Sequence, residues 1–184
     1  TGLAMTPQRC EELELPLMVE GDDSLSPFTL SIEAATGIDT GISAADRART
    51  VRVAVDPSSQ ASDLVQPGHI FPIAAAVGGV LTRTAPAEAA MDLTTLAGLL
   101  PSAVFTEVLD NNGAVADADY LLGFADQHQL VVGHVSDLVT YRLANQKTIR
   151  AVREGTLQTR YGEFSATAYQ DTTQGLSLIH ISEP

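Results

Sequence analysis

The stretch Thr40-Gly-Ile-Ser-Ala-Ala-Asp-Arg47 decides how this chain is read. Gly37 and Gly41 bracket a turn, and Ser43-Ala-Ala-Asp46 has the spacing of a helix-capping box with Asp in place of Glu. The helix it starts is expected over about 44–55, where Asp56-Pro57 stops it. Before it, Phe28-Thr-Leu-Ser-Ile32 alternates apolar and polar residues, the mark of a strand with one buried face. A strand feeding a capped helix through a glycine turn leaves free N–H groups that a small anion could use, although a well-capped helix needs no ligand.

Working outward, the same alternation of element types continues. Gln8–Glu14 contains helix formers and ends before Leu15-Pro16. Ser58 to Gly68 reads as irregular, and His69-Ile-Phe71 resumes apolar character before the Gly78-Gly79 turn. Helices are expected over 87–99 and 117–128, and a third is expected to be capped by Ser136. Strands are expected at Ala103–Leu109, closed by the turn Asp110–Gly113, and at Leu130–Val132. The basic stretch Arg142–Glu154 suggests a solvated helix leading out of the domain, and Leu157–Tyr169 the start of a β-rich unit. Strands alternating with helices imply a layered α/β domain, mixed α+β in detail.

The 184 residues suffice for one domain plus a short second unit. A net charge of −13 argues against binding a nucleic-acid backbone, so any phosphate is small and held locally by one or two arginines. No run of 18 uncharged apolar residues exists to span a membrane, and no signal peptide is evident, so a cytoplasmic setting is expected. A single cysteine, Cys10, excludes an internal disulfide framework. No glycine-rich nucleotide loop with Lys-Ser/Thr and no Gly-x-Ser-x-Gly elbow is present.

Two further segments carry chemistry. In Pro67-Gly-His69-Ile-Phe-Pro72, two prolines stiffen the backbone around a histidine, which suits proton transfer because imidazole titrates near neutrality. In Gly78-Gly-Val-Leu-Thr-Arg83-Thr-Ala-Pro86-Ala-Glu88, Arg83 stands before a helix start, a plausible phosphate pocket. Glu88, in the first helical turn, needs no role beyond complementing the helix dipole. Glu107 lies in an apolar strand pattern, where it needs a partner or a function unless it faces solvent.

Taken in order, these segments resemble 3,4-dihydroxy-2-butanone 4-phosphate synthase over about residues 1–143. Asp92–Gly98 and Asp137–Arg142 add to the likeness. The resemblance implies a three-layer α-β-α domain with a mixed sheet, a homodimer, and conversion of ribulose 5-phosphate to 3,4-dihydroxy-2-butanone 4-phosphate and formate with Mg²⁺ or Mn²⁺. It makes His69 and Glu107 the catalytic pair, Arg83 the phosphate-holding residue, and Thr40 and Glu107 substrate contacts.

In the family's Arg-x-Gly-His-Thr-Glu the histidine is a metal ligand, whereas here the stretch reads Arg83-Thr-Ala-Pro86-Ala87-Glu88. Pro86 has no donor atom, so no family metal ligand is expected within the chain; the other lies in an acidic loop upstream of Thr1. Leu157–Phe164 resembles the opening of GTP cyclohydrolase II, which many bacterial proteins fuse to the synthase. The expected organisation is a partial, N-terminally truncated synthase domain over 1–143, a linker over 144–156 and a cyclohydrolase start over 157–175. The tail 176–184 resembles the translation of a sequencing adapter, the alternative being a C-terminal strand. Three functions follow: the synthase itself, an impaired copy supporting or regulating a fused cyclohydrolase, or a phosphate-sugar sensor.

Overall fold

The computed structural model describes residues 1–19, 27–173 and 177–182, without the side chains of the last two. The first strand, β1 (Gly2–Met5), leads through a Thr6 cap into α1 (Pro7–Glu12). β2 (Ile32–Ala34) then precedes α2 (Ala44–Val55), whose bounds are those the capping pattern predicts. The Ser43 hydroxyl accepts from Asp46 N at 3.1 Å. The buried Asp46 carboxylate turns to the preceding loop, accepting from the N–H groups of Asp39 at 3.4 Å and Gly41 at 3.1 Å. It therefore ties the preceding loop to the helix start instead of closing the box on its own cap.

β3 (Leu64–Ala74) is the long central strand. A four-stranded sheet has the order β2-β3-β1-β4, with β4 at Ser102–Phe105. β1 runs parallel to β3 and antiparallel to β4, and β2 is antiparallel to β3, so the sheet is mixed as expected. Leu3, Met5, Ile32 and Ile70 pack on one side with Cys10 and Leu13 of the α1 segment and Ala54 of α2. On the other side Ala4, Ile73 and Ala75 meet Ala87 and Met91 of α3 (Pro86–Leu96). Alternation along β1 sends neighbouring side chains to opposite cores, which is what makes three layers. None of the helices is long and apolar enough to cross a membrane among the described residues.

Several sequence expectations differ from the structure. Phe28 and Thr29 make only isolated bridges, to Ile73 and Leu17, so the edge strand begins at Ile32. The stretch expected to be irregular supplies the first part of β3, because Val65 and Leu64 pair with Glu33 and Ala34 despite Pro67. β4 stops at Phe105, leaving Glu107 outside the ladder. α4 (Ala118–His128) ends with Gln129 in the left-handed region, and Leu130–Val132 forms no strand. A short apolar run makes a strand only where a ladder partner is at hand, and Val131 is 99% exposed. α5 (Val135–Asn145) starts one residue before Ser136, since the His134 carbonyl already accepts from Asp137 and Leu138.

The expected helix over Arg142–Glu154 ends at Asn145 and gives way to β5 (Ile149–Thr159). Thr148, Ile149 and Val152 favour extended backbone and override the basic residues. β5 pairs antiparallel with β6 (Gly162–Asp171), and β7 (Ser177–Ser182), within the tail, pairs with β6. Residues 174–176 and 183–184 of the second-unit and tail segments lie outside the described residues. Arg142 is no solvated charge: its Nη1 donates to Asp92 Oδ2 at 2.8 Å and Gly78 O at 2.7 Å, anchoring α5.

Candidate active site

The site begins where β2 and β3 lose register. Ile32 pairs with Ile70, yet the next residue, Glu33, pairs with Val65, so Gln66–His69 form a bulge on β3. Bulges re-aim side chains next to functional sites. Here the bulge presents His69, whose Nδ1 hydrogen-bonds Glu33 Oε1. The imidazole is half-exposed while the carboxylate is mostly buried, at 43% and 15%. His69 Nε2 has no partner among the described residues.

Two glycines make the room for this pair. A Cβ on Gly41 would overlap the Glu33 carboxylate, and one on Gly68 would overlap the Ile32 carbonyl and Glu33 Cγ. Gly41 has φ +74, a conformation that also favours glycine. The structure thus brings Thr40-Gly41, Glu33 and His69 together from three segments. Sequence reasoning singled out Thr40 and His69 but missed Glu33. Its only signal was an acidic residue directly after the Phe28–Ile32 strand pattern.

Glu107 lies at the same end of the sheet. The register aligns Phe71, Gly2 and Phe105 across β3, β1 and β4, with His69 two residues before Phe71 and Glu107 two after Phe105. Glu107 is exposed and borders a cavity of about 350 Å³ with Phe28, Phe71 and Phe105. Its solvent-facing position is the alternative left open by the sequence, reached by ending the strand early.

Arg83 is elsewhere. Its Nε donates to Glu88 Oε1 at 2.8 Å, its Nη2 donates to the same oxygen, and Nη2 also reaches Ala74 O at 3.2 Å. This bond places Arg83 at Ala74, the last residue of β3, whereas His69 stands midway along that strand. Five residue steps of strand separate His69 from Ala74, about 16 Å at 3.3 Å per step. Glu88 corrects its dipole-only reading: it is fully buried, and its Oε1 also accepts from Ala76 N at 2.9 Å. Arg83 borders a separate, mainly apolar cavity with Cys10, Leu15 and Thr29.

Pro86 is the first residue of α3 and brings no donor atom. Among the described residues no three His, Cys, Asp or Glu side chains converge as a metal site. The donors present do not by themselves fit the divalent cation that the resemblance implies.

Comparison with known proteins follows the same outline. The family model for 3,4-dihydroxy-2-butanone 4-phosphate synthase matches residues 1–141. A Pseudomonas aeruginosa protein of that name is 45% identical over 175 residues, 94% of this chain and 48% of the relative. The Synechocystis riboflavin biosynthesis protein RibBA is 41% identical over 184 residues, 96% of this chain and 33% of its own length. The crystal structure of RibBX, a two-domain 3,4-dihydroxy-2-butanone 4-phosphate synthase from A. baumannii, superposes with a TM-score of 0.86 at 38% identity, over 99% of this chain and 54% of that one. A synthase structure in complex with two magnesium ions matches with a TM-score of 0.66 at 32% identity, over 78% and 73% of the two chains. This chain spans about half the length of the curated relatives it matches. From the matched length and the shared fold, the chain belongs to the 3,4-dihydroxy-2-butanone 4-phosphate synthase family.

Proposed function

We propose that this chain contributes the synthase step of riboflavin biosynthesis, a lyase reaction turning ribulose 5-phosphate into 3,4-dihydroxy-2-butanone 4-phosphate and formate. The observation that carries the reading is His69, hydrogen-bonded to Glu33 beside the Thr40 loop, at the sheet end where Glu107 also lies. With Nδ1 engaged, Nε2 is the ring atom able to take or give a proton. Glu107, half a sheet away and open to solvent, is the second acid/base group. Thr40 offers a hydroxyl to the sugar, and Arg83 is the phosphate-holding charge.

Arg83 lies about five residue steps of β3, about 16 Å, from His69, so the two do not grip one small phospho-sugar within a single copy. This supports a homodimer in which a second copy completes the site. The family's Mg²⁺ or Mn²⁺ would need donors beyond those converging here. We assign the protein to the cytoplasm, with neither nucleic acid nor membrane as partner. We take residues 1–143 as the synthase domain, with 144–156 joining it to a unit that opens like GTP cyclohydrolase II at 157–175 and the tail 176–184 extraneous.

A second reading rests on Pro86 and Ala87, where the family has a metal-binding histidine and a threonine. In it, an impaired synthase-like domain supports or regulates a fused cyclohydrolase. Incubating the full chain with ribulose 5-phosphate, with and without Mg²⁺, and measuring formate separates the readings. Metal-dependent formate release is the result expected of the synthase. Binding without turnover points to a sensor, and no binding at all to the supporting role.

A further inference from the structure

We infer that Glu33 is a positioning residue that holds His69 in one tautomer and aims its Nε2 at the substrate. Deepening the synthase reading, this assigns a role to a carboxylate on a different strand from the histidine it serves. Glu33 Oε1 meets His69 Nδ1 across the β2–β3 bulge, so a neutral ring must carry its proton on Nδ1 to donate. The lone pair is then left on Nε2, the nitrogen without a partner among the described residues.

The surroundings are shaped around the carboxylate. Gly41 and Gly68 each lack the one atom that would displace Glu33. Gly41 is held in place by Asp46, and Gly68 N donates to Ser31 Oγ at 3.1 Å. A surface acid that met a histidine by chance would need neither close backbone approach. A carboxylate mostly out of water beside a half-exposed ring is the arrangement that orients a base through its far nitrogen.

The test compares the full-length chain with Glu33→Ala and Glu33→Gln. The first readout is the ¹⁵N shifts of the His69 ring, assigned with a His69→Gln control. In the parent, His69 shows protonated Nδ1 and bare Nε2 when neutral. Glu33→Ala relaxes to the mixture of free imidazole. Glu33→Gln retains the parent pattern, because its amide oxygen accepts the same bond. The second readout is formate release: Glu33→Ala lowers kcat about 10- to 100-fold with KM little changed, and Glu33→Gln recovers most of it. Identical ring shifts in all three proteins overturn the inference, as does a loss expressed only in KM. If the parent releases no formate, the synthase proposal fails, and the ring shifts alone decide the role of Glu33.

Discussion

Replacing Glu88 with methionine removes the partner of Arg83 from a site with no access to water. Glu88 is fully buried and holds three donors on one oxygen: Arg83 Nε, Arg83 Nη2 and Ala76 N. Stranding one member of a buried ion pair costs about 3–5 kcal/mol. The lower end applies, because the Arg83 side chain is 29% exposed and can recover some hydration. Glu88 Oε2 is buried without a hydrogen bond, so the native pair already carries a desolvation cost. The orphaned Ala76 amide adds about 1 kcal/mol or more. A total near 3–4 kcal/mol, at a urea slope of about 2 kcal/mol/M, lowers the midpoint by about 1.5–2 M. The double variant Arg83→Met/Glu88→Met strands no charge. Only the Ala76 amide and the Ala74 carbonyl lose partners, so it falls by about 1–2 kcal/mol. Urea unfolding followed by circular dichroism measures both. A single variant costing under about 1 kcal/mol, or a double variant as unstable as the single, refutes the assignment of Glu88 to a buried pair.

Gly41→Ala meets the Glu33 carboxylate and an unfavourable φ, so it loses about 1–3 kcal/mol in thermal or urea unfolding and shifts the His69 ring resonances. Arg142→Ala removes the bond that ties α5 to Asp92 and Gly78, and hydrogen exchange of 135–145 rises while that of β1 stays protected. Cys10 is buried, and loss of solvation is the main cause that pushes its thiol up to about 11 from 9.0. The folded state therefore binds this proton more tightly than the unfolded chain. The associated stability is complete below about pH 9 and is lost toward pH 11, by about 2–3 kcal/mol. Unfolding curves of the parent and Cys10→Ala at pH 8 and pH 11 isolate that loss, since the other alkaline groups titrate in both proteins.

What could be read from the sequence was local. The Ser43 cap and the Asp56-Pro57 stop each act within a turn of helix, and both ends of α2 fall where those residues put them. His69 was conspicuous because its neighbours are prolines. Its partner was not, because Glu33 and His69 are 36 residues apart and meet only through a register jump. No periodicity announces a bulge. Glu88 is misread for a similar reason: its position on the helix is clear, but its pairing depends on Arg83 folding back over the end of β3. Leu130–Val132 failed the other way, its composition favouring a strand while no ladder among the described residues received it. Between the two units, Arg142–Glu154 reads as a helix from its charges, and the β-branched residues near Ile149 prevail.

Because one continuous strand joins His69, midway along it, to Ala74 at its end, β3 acts as a ruler with whole-residue graduations. Adding or deleting a residue between them would reverse the faces of every side chain beyond the change. The spacing of the two positions is therefore insulated from gradual drift. Each of the two positions can change its own chemistry without moving the other.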